Sequence, residues 1–238
     1  MKPLPPAILF DLDDTILYGG YREDVLGHIA AELADELAAA DPPGLVDALE
    51  TAFRVYWSDP DRHRDGRFAL AEVRRRVVAG VFARDGRPQL TEALAHRFAD
   101  RFTAAREAMM RPFDGAVETV AELKARGVRL ALITNGDGAT QRGKIERFSL
   151  AGYFDHIQIE GEHGFGKPEP QAYRHCMAAI GAAPADCWIV GDDLEWEVAA
   201  PQRLGLHAIW HDHRGAGLPP GSEVRPDRII RALTELLE

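Results

Sequence analysis

The stretch AILFDLDDTIL, residues 7–17, places a short apolar run directly before three closely spaced carboxylates. The run AILF is wholly apolar, which is typical of a strand buried on both faces of a parallel sheet. Asp11, Asp13 and Asp14 follow within four positions, and their charges repel one another unless a cation lies among them. The stretch therefore predicts a buried strand whose carboxyl end carries a charged site.

From Asp114 onward, helical and strand patterns alternate along the chain. The apolar strands read VRLALIT (128–134), HIQIEG (156–161), CWIVG (187–191) and LHAIW (206–210). Helical patterns lie at 115–127, near 139–149, near 169–181 and near 194–204. Because strands that alternate with helices indicate a parallel sheet, the predicted fold class is α/β, with AILF as the first strand of a Rossmann-like core.

Residues 22 to about 110 read instead as successive amphipathic helices. Apolar residues recur at i+4 in four series, which begin at Val25, Leu45, Val73 and Leu90. The series are separated by the breakers DPPG at 41–44, SDPDRHRDG at 58–66 and RDGRP at 84–88. The sequence therefore predicts a bundle of four helices, inserted as a cap after the first strand.

This pattern divides the chain into two predicted domains. Residues 1–20 and 111–238 form the sheet core, and residues 21–110 form the helical cap. Gly19 and Gly20 lie at the first junction, where we interpret them as a hinge rather than a simple turn. A cap inserted directly after the charged loop is placed to act as a lid.

Composition and charge exclude several classes of protein. A chain of 238 residues with 46% hydrophobic residues can bury a sizeable core. Its net charge of −10 argues against a nucleic-acid or anionic-membrane partner. No stretch approaches the roughly 18 apolar residues of a membrane span, and the first apolar run is too short for a signal peptide. Cys176 and Cys187 match neither a disulfide framework nor a metal-binding spacing, so a cytoplasmic location is predicted. The oligomeric state cannot be read from the sequence.

Polar residues follow three of the predicted strands. AILF runs into Asp11 and Asp13, VRLALIT into Thr134 and Asn135, and CWIVG into Asp192 and Asp193. Lys167, in GFGKPEP, lies just before a helix that Pro170 helps to begin. Since the carboxyl ends of parallel strands meet at one edge, where ligands bind, we expect these side chains to lie together.

The chemistry of this group suits a phosphoryl ligand. Several carboxylates at one point need a cation, and an all-oxygen set suits Mg²⁺. A carboxylate can also attack phosphorus and form an aspartyl-phosphate. The Thr134 hydroxyl, the Lys167 ammonium and the glycine-rich turn before the next helix can hold phosphoryl oxygens. The sequence thus predicts Mg²⁺ and Lys167 as the positive partners of the carboxylates.

With these residues the chain resembles the haloacid dehalogenase superfamily, in its phosphatase branch with a helical cap after the first strand. Four motifs match in order: DLDDT at 11–15, Thr134 in LITNG, Lys167 in GKPEP, and GDD at 191–193. LITNG, QRGKI (141–145) and YFDHI (153–157) also resemble the subgroup of nucleotidases and sugar-phosphate phosphatases. The resemblance covers nearly the whole chain.

The resemblance implies a role for each motif residue. Asp11 attacks phosphorus, and Asp13 protonates the leaving oxygen and then activates water. Thr134, Asn135 and Lys167 bind the phosphorylated substrate. Mg²⁺ is bound by Asp11, by the backbone carbonyl of Asp13 and by Asp192. The presence of Asp13 distinguishes the chain from dehalogenases, which lack an acid there.

The last motif departs from the family pattern. Where a second aspartate is usual, this chain has Glu197 in GDDLEWE. Either Glu197 or Asp193 can supply the acid that reaches the metal through water. Asp193 can alternatively cap the helix that follows.

The implied function is a Mg²⁺-dependent phosphomonoesterase that acts on a small phosphorylated metabolite. One alternative is a binding protein that retains the fold without catalysis, and another is a nucleotidase of narrow specificity. A phospho-receiver domain also combines acids, a threonine and a lysine, but in a different order and without a large cap.

Other polar residues are interpreted as structural. We expect Asp14 to be solvated or to stabilise its loop, and Thr15 to fix that loop through local hydrogen bonds. HDH at 211–213 is interpreted as polar surface and RRR at 74–76 as a solvated helix face. RHR, residues Arg62, His63 and Arg64, is placed in a cap loop, either solvated or facing an anionic part of the substrate.

Overall fold

The structure is a computed structural model that describes residues 4–37 and 42–238. The chain divides into two compact units, which we call the core unit (residues up to 18 and from 111 onward) and the helical unit (residues 19–110). No helix in the described part of the chain is both long and apolar enough to cross a membrane.

The core unit is built on a parallel sheet of six strands in the order β5-β4-β1-β6-β7-β8. These strands are β1 (Ala7–Phe10), β4 (Arg129–Thr134), β5 (His156–Ile159), β6 (Cys187–Gly191), β7 (His207–His211) and β8 (Arg228–Ile230). All neighbouring pairs are parallel. The predicted α/β fold with a Rossmann-like sheet is confirmed, and AILF is one of its two central strands.

The strand β8 is not predicted from the sequence. It has three residues, and its burial pattern leaves Ile229 exposed between a half-buried and a buried neighbour. So short a run gives neither a continuous apolar stretch nor a readable alternation. The strand is identified only by its parallel pairing with β7.

A second, antiparallel pair lies where the chain leaves and re-enters the core unit. β2 (Leu17–Tyr18) pairs with β3 (Arg111–Pro112), with Leu17 opposite Pro112 and Tyr18 opposite Arg111. The chain therefore leaves the core unit and returns to it at adjacent positions of this short two-stranded ribbon.

Helices of the core unit begin at recognisable caps. They are α7 (Ala116–Ala125), α8 (Gly138–Arg147), α9 (Glu160–His163), α10 (Pro170–Ala179) and α11 (Ala200–Gln202). The Asp137 carboxylate accepts the Thr140 N–H at the start of α8. Pro170 occupies the first turn of α10, where no backbone donor is needed.

The predicted helix near 194–204 has a different form. A π-helical turn, Leu194–Ala199, precedes the short α11. Pro201 lacks the N–H that an α-helix would direct to the Glu197 carbonyl, so a regular helix cannot continue through this point. The irregular turn brings the Glu197 side chain back toward its own beginning, where it accepts the Asp193 N–H at 2.9 Å.

The sheet is covered by apolar residues of its flanking helices. All four residues of β1 are completely buried. One face forms a cluster that includes Leu9, Ile133, Tyr173, Cys176 and Ile189. Because β4, β1 and β6 are neighbours, their carboxyl ends lie side by side, and the polar residues that follow them share one edge of the sheet.

The helical unit contains six described helices rather than the predicted four. They are α1 (Arg22–Glu32), α2 (Ala34–Leu37), α3 (Pro42–Trp57), α4 (Pro60–Gly66), α5 (Leu70–Asp85) and α6 (Glu92–Met109). Their core contains the aromatic residues Phe53, Phe82, Phe98 and Phe102. The breaker RDGRP does end a helix, since Gly86 caps α5 with a left-handed φ of 75°.

The segment SDPDRHRDG separates α3 from α5, as predicted for a breaker, but its residues Pro60–Gly66 form the short helix α4. The Asp59 carboxylate accepts the N–H groups of Asp61 and Arg62, and Pro60 occupies the first turn. These residues begin a helix as readily as they break one, which is why the sequence does not predict α4. In DPPG, Asp41 lies outside the described residues, and Pro42 begins α3.

The arginines of the helical unit mostly face solvent. Arg62 and Arg64 are exposed on α4, and the His63 ring packs on Trp57 with ring centroids 5.0 Å apart. On α5, Arg76 is exposed, but Arg74 is half-buried with its guanidinium 5.3 Å from the centre of the Phe102 ring. Burial lowers the pKa of Arg74 to about 10.

Candidate active site

A buried lysine lies between two carboxylates at the end of β1. The Lys167 Nζ atom is 2.5 Å from Asp11 Oδ1 and 2.7 Å from Glu197 Oε1. Lys167 and Glu197 are each only 1% exposed. Burial acts to lower the pKa of Lys167, but the two carboxylates outweigh it and the net pKa is raised. The ammonium is therefore one of the cations that the sequence requires among these acids.

Glu197 is held in place by its own turn and by a glycine. Its Oε2 atom accepts the Asp193 N–H, and a Cβ atom on Gly191 would lie 2.0 Å from Glu197 Cγ. Burial, with the charges of Asp11 and Asp193, raises the pKa of Glu197 to about 8 despite the opposing charge of Lys167. Glu197, predicted as a possible outer metal partner, thus contacts Lys167 directly.

Asp192 follows β6 and lies close to the same acids. Burial and the negative charges of Asp11 and Glu197 raise the pKa of Asp192 well above its usual range. The Trp210 indole N–H donates to the Asp192 backbone carbonyl at 2.7 Å, which fixes the residue on the edge of the sheet. By contrast, Asp193 is exposed and caps the π-helical turn by accepting the N–H groups of Glu195 and Trp196.

Asp13 is held by two residues of α8. The Lys144 Nζ atom lies 2.8 Å from both Asp13 carboxylate oxygens, and the Gln141 amide donates to Asp13 Oδ2 at 2.9 Å. The same amide nitrogen lies 2.6 Å from Thr134 Oγ1, so Gln141 joins Asp13 to Thr134. Thr134 is buried at the end of β4.

Asn135 connects the end of β4 to the segment that carries Lys167. Its amide nitrogen donates to the Lys167 carbonyl at 2.6 Å, and its amide oxygen accepts the Lys167 N–H at 2.8 Å. A Cβ atom on Gly166 would lie 2.5 Å from the Asn135 Oδ1 atom, so only glycine fits beside it. Asn135, predicted to bind substrate, therefore uses both ends of its amide to position the lysine backbone.

The donor set suits a hard cation. Carboxylate oxygens of Asp11 and Asp192 follow adjacent strands, and burial raises the pKa of Asp11 even with Lys167 beside it. Burial disfavours the charged form of both acids, and the single Lys167 ammonium faces three neighbouring carboxylates, those of Asp11, Glu197 and Asp192. Oxygen donors with excess negative charge are what Mg²⁺ requires.

Comparison with known proteins agrees with this geometry. A family model for haloacid dehalogenase-like hydrolases matches residues 5–205. The chain belongs to this family.

Two characterised relatives of this haloacid dehalogenase-like hydrolase are phosphatases. The phosphoserine phosphatase of Thermus thermophilus is 35% identical over 213 residues, which cover 90% of this chain and 75% of that protein. The glyceraldehyde 3-phosphate phosphatase of Pyrococcus furiosus is 27% identical over 237 residues, which cover 98% of this chain and 91% of that protein. The prediction of a hydrolase of the phosphomonoesterase type is confirmed.

The fold is shared with a solved member of the same family. The structure of the HAD-hydrolase YfnB of Bacillus subtilis superposes with a TM-score of 0.73 at 22% identity. The match covers 98% of this chain and 97% of that one.

Two residues of the hydrolase's site, Gln141 and Lys144, are not among the residues predicted from the sequence. Both lie in QRGKI, and their spacing of three places them on the same face of α8. That spacing, directly after the glycine-rich turn, is the signal that could have identified them.

The loop after Asp11 differs in part from prediction. Asp14 has a left-handed φ of 55°, which aspartate tolerates, and its N–H donates to the Leu17 carbonyl at 2.7 Å. This agrees with a loop-stabilising role for Asp14. Thr15 is fully buried, but its hydroxyl has no hydrogen-bond partner among the described residues. The predicted local hydrogen bonds of Thr15 are therefore wrong, and its side chain serves packing.

The segment HDH is not polar surface, as predicted. His211 and Asp212 are buried, and the rings of His211 and His213 pack 5.0 and 5.3 Å from that of Phe113. The Asp212 carboxylate accepts two backbone N–H groups of the loop that follows. The prediction fails because β7 is an interior strand, with β8 paired beyond it.

Proposed function

We propose that this hydrolase is a Mg²⁺-dependent phosphatase that cleaves small phosphorylated metabolites through an aspartyl-phosphate on Asp11. The observation that carries the proposal is that two neighbouring aspartates have different hydrogen-bond and ion-pair partners. Asp11 is buried against Lys167, whereas Asp13, two residues later, is held by Lys144 and Gln141. One acid is thus supported as a nucleophile and the other as an acid–base group.

In the first half-reaction, an Asp11 oxygen attacks phosphorus. Lys167 contacts Oδ1 and so leaves Oδ2 for the attack. The new phosphorus–oxygen bond forms as the bond to the leaving group breaks, and Asp13 donates its proton to the leaving oxygen. In the second half-reaction Asp13 accepts a proton from water, which attacks phosphorus and releases phosphate from Asp11.

The remaining residues orient the phosphoryl group. The Thr134 hydroxyl and the Lys167 ammonium are proposed to hold its oxygens, with Asn135 fixing the lysine backbone. Asp11, Asp192 and the Asp13 carbonyl are proposed to hold Mg²⁺. When bound, that ion supplies positive charge to the acids and to the phosphoryl oxygens.

The substrate class is supported by the relatives, whose names specify phosphoserine and glyceraldehyde 3-phosphate. Both are small monoesters, so we propose a substrate of this size. The two thiols, Cys176 and Cys187, are free and buried, which supports a cytoplasmic location.

The test is turnover of p-nitrophenyl phosphate by the wild type and by Asp11→Asn, with and without Mg²⁺. We expect Asp11→Asn to abolish turnover, because an amide of nearly equal shape is not a nucleophile. Asp186→Asn, a matched change at an exposed aspartate, should retain the wild-type rate. Circular dichroism checks that both variants fold.

The alternative, a phosphate-binding protein without catalysis, predicts a different result. It requires tight phosphate binding and no Mg²⁺-dependent turnover of any phosphorylated metabolite by the wild type. A folded Asp11→Asn variant with more than a small percentage of the wild-type rate would contradict the nucleophile assignment. A panel that includes phosphoserine and glyceraldehyde 3-phosphate identifies the substrate.

A further inference from the structure

Three histidines converge beside the edge strand β5, apart from the residues assigned to phosphoryl transfer. His156 begins β5, His163 ends α9, and His175 lies on α10. One ring nitrogen from each lies within 4.8 Å of those of the other two. The ring centroids are 5.1 to 5.9 Å apart.

Hydrogen bonds determine which nitrogens of two rings carry protons. The His163 Nδ1 atom is 3.0 Å from the Ile159 carbonyl oxygen, and the His175 Nδ1 atom is 2.8 Å from the Gln158 amide oxygen. Both partners can only accept, so each Nδ1 must donate. The lone pair of each neutral ring then lies on Nε2.

The third ring offers a nitrogen of its own. His156 Nε2 is buried and has no hydrogen-bond partner among the described residues. A buried polar atom without a partner is costly and calls for an explanation. Burial, followed by the charges of His175, His163 and Arg142, lowers the pKa of His156, which favours the neutral ring. Neutral imidazole is the form that binds metals.

We propose that His156, His163 and His175 form a binding site for Zn²⁺ or a similar borderline transition-metal ion. Three imidazole ligands leave the fourth tetrahedral position for water or another ligand. Zinc–nitrogen bonds of about 2.0–2.1 Å place the nitrogens closer together than 4.8 Å, and the exposed His175 side chain can move to close that gap. An all-imidazole set does not suit Mg²⁺, so this site and the carboxylate site select different ions.

The surroundings match those of a protein metal site. Ligating histidines usually donate their second N–H to a carbonyl or carboxylate, which orients the ring. His163 does so to a backbone carbonyl and His175 to the buried Gln158 side chain. The rings also contact Phe165, whose ring centre is 6.0 Å from that of His163 and 5.4 Å from that of His175. Such an apolar neighbour limits access of water to the ion.

The position of the site has a structural consequence. His163 and His175 lie on either side of the segment 164–174, which carries Lys167. An ion that joins both histidines to β5 closes this segment into a loop with fixed ends. Zn²⁺ binding should therefore stabilise the folded chain independently of catalysis.

The experiment is titration of the purified full-length chain with Co²⁺ and then Zn²⁺, in excess Mg²⁺ to occupy the carboxylate site. We expect one equivalent of Co²⁺ with a visible spectrum of four-coordinate geometry, displacement by one equivalent of Zn²⁺, and a raised Tm. His175→Gln, at the exposed ligand, should abolish the spectrum. His207→Gln, a matched change at a histidine whose ring packs against Trp188, should leave it unchanged.

Two further variants separate this site from others. Gln158→Leu should weaken Zn²⁺ binding by about 10–100-fold, as expected for loss of a group that orients a ligand. Asp192→Asn should leave the Co²⁺ spectrum intact. The proposal is overturned if folded His175→Gln binds Co²⁺ like the wild type, or if Asp192→Asn removes the spectrum.

Discussion

At the scale of single residues, the site depends on how each aspartate is paired. Lys167 shares its charge between Asp11 and Glu197 in a fully buried position. Lys144 makes its contacts to Asp13 from a helix, nearer to solvent. The first lysine thus balances buried charge, whereas the second orients Asp13, the acid proposed to exchange protons with water.

The assignment of Lys144 predicts a leaving-group effect. Lys144→Met removes the contacts that hold Asp13, so protonation of the leaving oxygen should become less efficient. Since a general acid matters most when the leaving oxygen is basic, kcat should fall more for an alkyl phosphate than for p-nitrophenyl phosphate. The expected loss is about 10²-fold at most, the lower end of what a general acid contributes.

A matched control is Lys124→Met on α7, whose partner Asp155 precedes β5. It should leave both rates unchanged and alter stability by less than about 1 kcal/mol, because the ion pair is partly exposed. Equal losses on the two substrates in Lys144→Met would mean that Lys144 acts on something other than the acid.

For single residues, the sequence identifies the polar side chains that lie at the ends of strands. It misses the side chains of helices that contact them. Asp11, Thr134 and Asp192 stand directly after apolar runs, so their common edge follows from parallel pairing alone. Contacts such as those of Lys144 with Asp13 depend on how α8 is rotated and on rotamers, which no local pattern specifies. For the same reason Glu197 is readable as an acid but not as the partner of Lys167.

At the scale of elements, the turn after β6 is shaped around one side chain. Gly191 ends the strand, Asp193 caps the turn, and the π-helical geometry returns Glu197 toward both. Irregular helical turns of this kind are frequent at functional sites. Here the irregularity places a carboxylate where it contacts Lys167.

This packing predicts opposite effects for two glycine-to-alanine changes. Gly191→Ala should displace Glu197, since the new Cβ would lie 2.0 Å from Glu197 Cγ. We expect the free energy of unfolding to fall by about 1–3 kcal/mol, as in overpacked cores, with a loss of turnover. Gly143→Ala, on the exposed side of α8 with no atom within 4 Å of its Cβ, should instead raise it by about 0.5–1 kcal/mol.

Urea denaturation and p-nitrophenyl phosphate turnover measure both quantities on the same samples. A Gly191→Ala variant with wild-type stability and rate would show that Glu197 does not need its observed position.

At the scale of the whole molecule, the residues proposed for phosphoryl transfer all belong to the core unit. The helical unit has an apolar core of its own, separate from that of the sheet. The ribbon of β2 and β3 marks both crossings, with Tyr18 directly opposite Arg111.

This arrangement predicts that the core unit folds without the helical unit. Joining Tyr18 to Arg111 through Asn-Gly would close the ribbon as a two-residue hairpin. We expect the shortened chain to keep its parallel sheet and to hydrolyse p-nitrophenyl phosphate with Mg²⁺. We expect selection among phosphorylated metabolites to weaken, because we propose that the deleted residues 19–110 contribute to specificity.

The measurement compares kcat/KM across the metabolite panel for the two chains. An unchanged ranking of substrates in a folded shortened chain would assign the helical unit to stability alone.

The fold class was readable from the sequence because it rests on long, repeated patterns. AILF, VRLALIT and CWIVG are buried strands as their composition indicates. The elements that the sequence did not predict are short, or contain residues that fit more than one local structure. SDPDRHRDG contains residues that cap helices as well as break them, and the three residues of β8 carry too little pattern.

The place of β1 in the sheet has a consequence for synthesis on the ribosome. The strand is synthesised before its partners β4 and β6, which lie more than a hundred residues later in the chain. At about 5–20 residues per second, β6 follows β1 by about 10–40 s. The helices of residues 19–110 make local contacts and can form during that interval. Until its partners are synthesised, the strand that leads to Asp11 stays an exposed apolar segment of the nascent chain. Segments of this kind are what chaperones recognise.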